Sequence, residues 1–201
     1  SSGTDNYLSL GTLLNLPVNN KLQFRFSGSI LQSDGFRYNK FRKSSDSNKK
    51  DEQFIRVKLN YKPLKNFKVL GTLIYAELDN GYDSWAPDNN TDYNTYSDDN
   101  GEDSQKTLGG SVRINLNSSN KYKFTSISAY TKTNLIHSYD GDWANDQYWY
   151  NNHGFDSQVE GWSYEFFDKN DKERKSTSQD FRLSFHDLIF GVFYKNLIES
   201  D

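Results

Sequence analysis

Residues 21–36, KLQFRFSGSILQSDGF, alternate apolar and polar side chains over more than ten positions. Leu22, Phe24, Phe26, Gly28 and Ile30 share one parity; Gln23, Arg25, Ser27 and Ser29 share the other, with Leu31 as the outlier. A period of two marks a strand with two unlike faces. Strands in globular domains usually run to about 5–6 residues, so this stretch is far longer than a soluble core requires. One face must be covered by something apolar along its whole length, while the other must tolerate an arginine.

The pattern recurs along the chain. Eight stretches read as strands, at about 6–16, 21–33, 52–62, 67–78, 105–116, 122–136, 176–185 and 188–197. Ile55, Val57, Leu59 and Tyr61 oppose Phe54, Arg56, Lys58 and Asn60; Phe181, Leu183 and Phe185 oppose Asp180, Arg182 and Ser184. The fourth and sixth stretches are less regular, because Leu70, Ile74 and Ile127 fall on the polar parity. Helical periodicity is hard to find anywhere.

The connections alternate in length. PVNN, PLKN, NSSNK and His186-Asp187 form the short ones, with Asn and Pro supplying hairpin geometry. The others are long, at about 34–51, 79–104 and 137–175. Tight turns therefore gather at one end of the strands and large loops at the other. A soluble sandwich has no reason to segregate its loops, whereas outer-membrane barrels have short periplasmic turns and longer extracellular loops.

Composition narrows the classes further. With no cysteine, disulfide frameworks and thiolate metal sites are excluded. A net charge of −3 with scattered basic residues gives no footprint for nucleic acid. No run approaches the apolar length of a transmembrane helix. That leaves a barrel open, because its strands alternate lipid-facing and lumen-facing residues and average to polar. The chain contains no Met and opens with no charged and apolar leader pattern, so a processed or partial chain is expected.

A membrane-crossing strand needs about 9–11 residues at roughly 45° tilt, and these stretches meet that length. Phe67 and Tyr75 on one strand, and Tyr122 and Tyr130 on another, are eight residues apart. At about 3.4 Å per residue that is roughly 27 Å along the strand. Tilt of about 40° reduces it to roughly 21 Å of depth, close to the apolar band of about 25 Å that aromatic girdles flank. The simpler alternative is that Tyr and Phe are good strand formers.

Several motifs together resemble the barrel of TonB-dependent outer-membrane receptors. GTLLNLPV (Gly11–Val18) is similar to that family's first-hairpin segment, and RFSGSILQSDGF (Arg25–Phe36) to the strand that follows. DNGYD (Asp79–Asp83), FTSISAYT (Phe124–Thr131) with SYDGDW (Ser138–Trp143), and SQDFRLSF (Ser178–Phe185) with GVFYKN (Gly191–Asn196) resemble later segments in order and spacing. Asp180 stands where the family usually has Glu, and the turn at 185–188 is shorter than expected.

The resemblance implies an all-β fold, an antiparallel transmembrane β-barrel segment of about eight strands, from a barrel of about 22 strands with a plugged lumen. Residues 1–201 would form part of that barrel, with the plug and the C-terminal strands absent. The implied function is active uptake of a scarce ligand across a Gram-negative outer membrane, most readily a ferric siderophore complex. The mechanism that the resemblance implies is not enzymatic. The implied partners are outer-membrane lipid and lipopolysaccharide, the TonB complex through the missing plug, and the small ligand, with no nucleic acid and no cofactor. The rival from another class is a secreted β-rich carbohydrate-binding module that uses loop aromatics. The two differ in where Leu22, Phe24, Phe26, Ile55, Val57 and Leu59 point: into a second sheet, or outward in one continuous belt.

No catalytic constellation is expected and no metal site. His153 and Asp156 are too few for a ligand set, and the acidic stretch Asp88–Asp103 lacks EF-hand spacing. The basic loop FRYNKFRKSSDSNKK reads either as a solvated loop meeting anionic lipopolysaccharide or as a ligand-drawing patch of Arg37, Tyr38 and Arg42. The loop DWANDQYWYNNHGF is the best ligand-contact candidate, through Trp143, Tyr148, Trp149 and Tyr150. The competing reading is that these aromatics pack the loops against each other. Arg25, Arg56, Lys58, Arg113 and Arg182 are expected to face inward, because isolated charge on a lipid face at mid-membrane costs about 2–4 kcal/mol.

Overall fold

The computed structural model describes residues 1–119 and 122–201. In chain order the strands are β1 (Leu8–Pro17), β2 (Leu22–Ser33), β3 (Tyr38–Asn39), β4 (Lys50–Leu64), β5 (Phe67–Gly81), β6 (Asn94–Thr95), β7 (Glu102–Ser119), β8 (Tyr122–Asp140), β9 (Phe167–Phe185) and β10 (Leu188–Ser200). All but β3 and β6 form one sheet in sequence order, each neighbouring pair antiparallel. β1 and β10 are its two outer edges and do not pair with each other, so the sheet is open.

Register explains why the alternation is so consistent. Leu16 faces Phe24, Phe24 faces Leu59, and Leu59 faces Gly71, which faces Val112. Directly opposed residues in an antiparallel pair share a face, so the apolar parity of each strand merges with that of the next. The opposite face carries Asn15, Arg25, Lys58 and Thr72 in one row. Leu70 and Ile127, out of phase in the sequence, flank Arg113 on that polar face.

Among the described residues no second sheet packs on either face, and the only buried hydrophobic residue is Ala144, in a loop. Leu14, Leu16, Phe24, Ile55, Leu73, Leu108, Val112 and Leu183 are all exposed. The apolar face is not packed into an internal core, as a sandwich would require; Leu22, Val57 and Leu59 on it are half-buried by their neighbours within the sheet. A soluble sheet with this much uncovered apolar surface would associate.

The sequence alternation underestimates several strands, most of all at their loop ends. β9 begins at Phe167 instead of about 176, and β8 runs to Asp140 instead of about 136. Residues 167–175, FDKNDKERK, are polar on both parities after the first. Backbone pairing with β8 and β10 continues there, but both faces lie beyond the apolar belt, so the hydrophobic signal ends before the strand does. The long connections are accordingly 34–49, 82–101 and 141–166, shorter than expected. Two short helices, α1 (Asp146–His153) and α2 (Ser157–Glu160), sit in the last of these where none was expected.

The short turns fall where the sequence placed them. Asn19 Oδ1 accepts from the Lys21 and Leu22 amides, and His186 takes the left-handed conformation, with φ of 50°. In the NSSNK turn, Asn120 and Lys121 lie outside the described residues. At the other end of β2, Gly35 has φ of 88°, and a Cβ there would meet Asn48 Oδ1 at 2.0 Å. The SDGF segment is thus the point at which the chain leaves the sheet, and only glycine fits it.

The aromatic pairs carry a geometric signature. Tyr75 lies in register, through Leu108, with Lys132, two residues beyond Tyr130 on β8. Phe67 lies in register, through Leu116, with Phe124, two residues beyond Tyr122. Both pairs are offset by the same two residues in the same direction. Strands tilted by about 40° shift positions of equal depth by roughly 8 Å, or about two residues, across two spacings of about 4.8 Å.

Candidate functional site

The three long connections gather at one end of the sheet and are tied to one another through buried polar groups. β3 and β6 pair in parallel, Tyr38 opposite Asn94 and Asn39 opposite Thr95, joining the first loop to the second. Asn39 and Thr95 are fully buried and Asp83 nearly so. The Asp83 carboxylate accepts from Asn39 Nδ2 at 3.0 Å, Thr95 Oγ1 at 2.5 Å and Ser97 Oγ at 3.1 Å. Asn39 also donates to the Ser97 carbonyl at 2.8 Å. A buried carboxyl group with three donors is satisfied, and removing one of them would leave a buried acceptor short of a partner.

A second tie links the middle loop to the last. Asn145 Nδ2 donates to the Tyr96 carbonyl at 2.6 Å, and the Asp98 amide donates to the Ala144 carbonyl at 3.1 Å. Asn145 is also the N-cap of α1, its Oδ1 accepting from the Tyr148 amide. One side chain therefore both starts the helix and anchors it. The Tyr96 and Tyr148 rings lie 4.6 Å apart above this junction. Burial and the Asp88 carboxylate push the Tyr96 phenol up to about 12, so it stays a neutral donor to Asp88 at 2.7 Å.

Each expected site residue has a definite place. Arg37 lies over the Phe36 ring at 5.3 Å, and its Nε is buried without a partner. Tyr38 is exposed on β3. The Arg42 amide donates to Asn39 Oδ1, which places Arg42 beside the first tie. Trp143 stacks on Trp85 at 6.0 Å, joining middle and last loops, and remains 40% exposed. Tyr148 and Trp149 pack inward: Trp149 lies 4.9 Å from Tyr164 and 5.1 Å from His153. Tyr150, on the same helix, is 54% exposed. Tyr148 and Trp149 are half-buried in packing, Trp143 both packs on Trp85 and is partly open, and Tyr38 and Tyr150 are open to solvent.

Phe155, Trp162 and Tyr164 complete the aromatic cluster, with ring separations of 4.6–4.8 Å. Asn39, Asp83, Asn145 and Tyr164 were not foreseen. Asn39 and its partners are 44 and 58 residues apart in the chain, and no local pattern announces such a pair. The helix was legible in principle: Asn145 and Asp146 at the start and Gly154 in the left-handed conformation at the end are ordinary boundary signals.

An acidic cluster lies where β8 meets the last loop. Asp140 Oδ1 accepts from the Asp142 and Trp143 amides at 3.1 and 3.0 Å, while its Oδ2 is buried with no partner. Burial and the neighbouring Asp142 carboxylate raise the Asp140 carboxyl to about 7, and the Asp98 carboxylate adds to the rise. Asp98 itself is raised, first by burial. Among the described residues no group of three or more histidines and carboxylates is arranged to hold a metal ion.

On the polar face of the sheet four of the basic residues meet groups within the wall. Arg25 Nε donates to Asn15 Oδ1 at 2.7 Å, and Arg113 Nε to Asn115 Oδ1 at 3.2 Å. Arg182 grips Asp180 through two bonds of 3.0 and 2.6 Å, and Arg56 lies over the Phe54 ring at 5.1 Å.

No family model and no curated protein matches the chain. Among solved structures, the siderophore receptor PiuA from Acinetobacter baumannii matches with a TM-score of 0.68 and 13% identity, covering 98% of this chain and 29% of its own. The ferric yersiniabactin uptake receptor FyuA from Yersinia pestis matches with a TM-score of 0.65 and 14% identity, again over 98% and 29%. The chain spans under a third of the length of either receptor. Over nearly all of its own length, it has the fold of part of the wall of such receptor barrels.

Proposed function

We propose that residues 1–201 are part of the wall and extracellular crown of a TonB-dependent receptor in a Gram-negative outer membrane, one that takes up a scarce ligand, most readily a ferric siderophore. The observation that carries this reading is the open eight-stranded sheet with one continuous apolar face, its long loops all at one end. The tilt-matched aromatic pairs support it, as does the fold likeness to two uptake receptors. The apolar face then meets lipid, and the face bearing Arg25, Arg56, Lys58, Arg113 and Arg182 lines the lumen. Plug and terminal strands belong to the rest of such a receptor, and transport requires them.

Within this reading the ligand meets the crown through Tyr38, Trp143 and Tyr150, whose rings are available for stacking, with Arg37 and Arg42 supplying positive charge to an anionic complex. Tyr148 and Trp149 hold the crown in shape. The test uses the full-length receptor and a panel of radiolabelled ferric siderophores, cobalamin and glycans. We expect binding of one ferric siderophore, weakened about tenfold by Trp143→Ala with Tyr150→Ala. Binding of a glycan instead, with no binding of any iron complex, would overturn the assignment.

A further inference from the structure

At the loop end of the polar face, four side chains with metal-binding chemistry stand together. Asp103 on β7 has the parity of Arg113 and lies directly opposite Asn80 on β5 and His137 on β8, so all three share the polar face. Tyr139 follows His137 by two residues on the same strand and shares its face. Tyr82 leaves β5 on the parity of Asn80, its amide donating to the Gly101 carbonyl at 3.0 Å. The Tyr82 ring centre lies 4.7 Å from that of His137 and 6.3 Å from that of Tyr139, and His137 and Tyr139 are 5.8 Å apart. Gly101 separates the two tyrosine-bearing segments, and a Cβ there would meet the Tyr82 carbonyl oxygen at 1.8 Å.

Tyr75 and Tyr96 donate their phenol protons to Glu77 and Asp88, whereas among the described residues Tyr82 and Tyr139, both half-buried, donate to none. His137 Nδ1 stands 3.6 Å from Asp103 Oδ1, beyond hydrogen-bond length. Ligand bonds of about 2.0–2.2 Å at right angles place neighbouring ligand atoms about 3 Å apart, so a small side-chain adjustment lets the pair share an ion. Two phenols, a carboxylate and one imidazole make a set dominated by hard oxygen. Carboxylate and imidazole alone would suit several divalent ions. The phenols narrow the choice, because a phenol ordinarily titrates near 10 and only a strongly acidic cation displaces its proton at neutral pH. Two phenolates and one carboxylate then balance a trivalent charge.

We propose that Tyr82, Asp103, His137 and Tyr139 form a ferric-ion site on the polar face just beneath the crown, each phenol giving up its proton to solvent as the iron binds. Open positions on the metal are left to water or to a small chelator that still holds it. The inference deepens the uptake reading given above and rests on it for the site's place at the mouth of the lumen. What it adds is direct ligation of the metal by this chain.

The test adds ferric nitrilotriacetate to the full-length receptor, purified in detergent, and reads visible absorption together with bound iron. We expect a single iron per receptor with a phenolate-to-iron charge-transfer band. Y82F/Y139F, which keeps both rings and their packing, should lose the band and bind iron at least about tenfold more weakly. Migration of the unheated barrel on a denaturing gel checks that the variant is folded. A wild-type receptor with no band, or a variant with the same band and affinity, would overturn the site. Zinc displacing the iron at equal concentration would overturn the choice of a ferric ion. Binding of ferric siderophores is measured separately. If none binds while the band persists, the uptake reading falls and the metal site stands.

Discussion

Asp140 shows how a single carboxyl can set the behaviour of a loop. Its Oδ1 organises the start of the last connection by accepting two backbone amides, and its Oδ2 is sealed in without a donor. The charged form is therefore disfavoured by burial and by Asp142 and Asp98, and the group titrates at about 7 when the loop is docked. Released into water it would titrate near 3.8. A carboxyl whose docked value is the higher one binds its proton more tightly when docked, so docking is strongest below about pH 4. It weakens as pH rises towards 7 and is constant above that. Asp140→Asn keeps an oxygen for the two amides and removes the charge. Hydrogen exchange of residues 141–166 should accelerate between pH 4 and 7 in wild type, after correction for intrinsic rates, and lose that dependence in the variant. A variant with the same pH profile as wild type would place the titration elsewhere.

At the scale of strands, what matters is which parity meets which medium. Leu73 is exposed on the apolar face of β5, and Thr72 beside it faces Lys58 on the polar face. Leu73→Arg should cost about 2–4 kcal/mol if the residue lies near the middle of a bilayer, while Thr72→Arg should cost under about 1 kcal/mol. Reversible urea unfolding of the full-length barrel in phospholipid vesicles measures both, and equal losses would mean the two faces are not distinguished by lipid. This two-facedness was legible in the sequence because a period of two is local: each residue's face follows from its neighbours, and Leu22 to Ile30 or Ile55 to Tyr61 needed no long-range information. The strand ends of β8 and β9 were not legible, since FDKNDKERK is held by backbone pairing in which side chains carry no signal. Most of the crown was equally hidden. Trp143 and Tyr150 stand out as large aromatics in a loop, but Asn39 meeting Asp83, or Asn145 meeting the Tyr96 carbonyl, depends on loops brought together only by strand order.

Across the whole sheet, the absence of any apolar core among the described strands means that cohesion comes from the backbone ladder and from whatever covers the apolar face. The ladder is complete inside the sheet and incomplete at both margins. β10 is exposed along its entire length, and β1 almost so; apart from the start of β1, where Leu8 and Ser9 bridge to Ser1 and Ser2, each presents unpaired amides and carbonyls, the template on which sheets add further strands. In a closed barrel those margins are joined to other strands. Taken by themselves, residues 1–201 keep both edges open, and detergent covers the apolar face without satisfying backbone groups. The isolated chain, refolded in detergent, should therefore associate through its edges into species larger than one chain. Phe193→Lys with Leu197→Lys, both on the polar parity of β10 and so away from the detergent, should shift the population towards monomer by charging that edge. Size-exclusion chromatography with light scattering, corrected for bound detergent, reads the result. A wild-type chain that runs as a monomer at all concentrations would show that β1 and β10 close on each other, making an eight-stranded barrel of what is here an open wall.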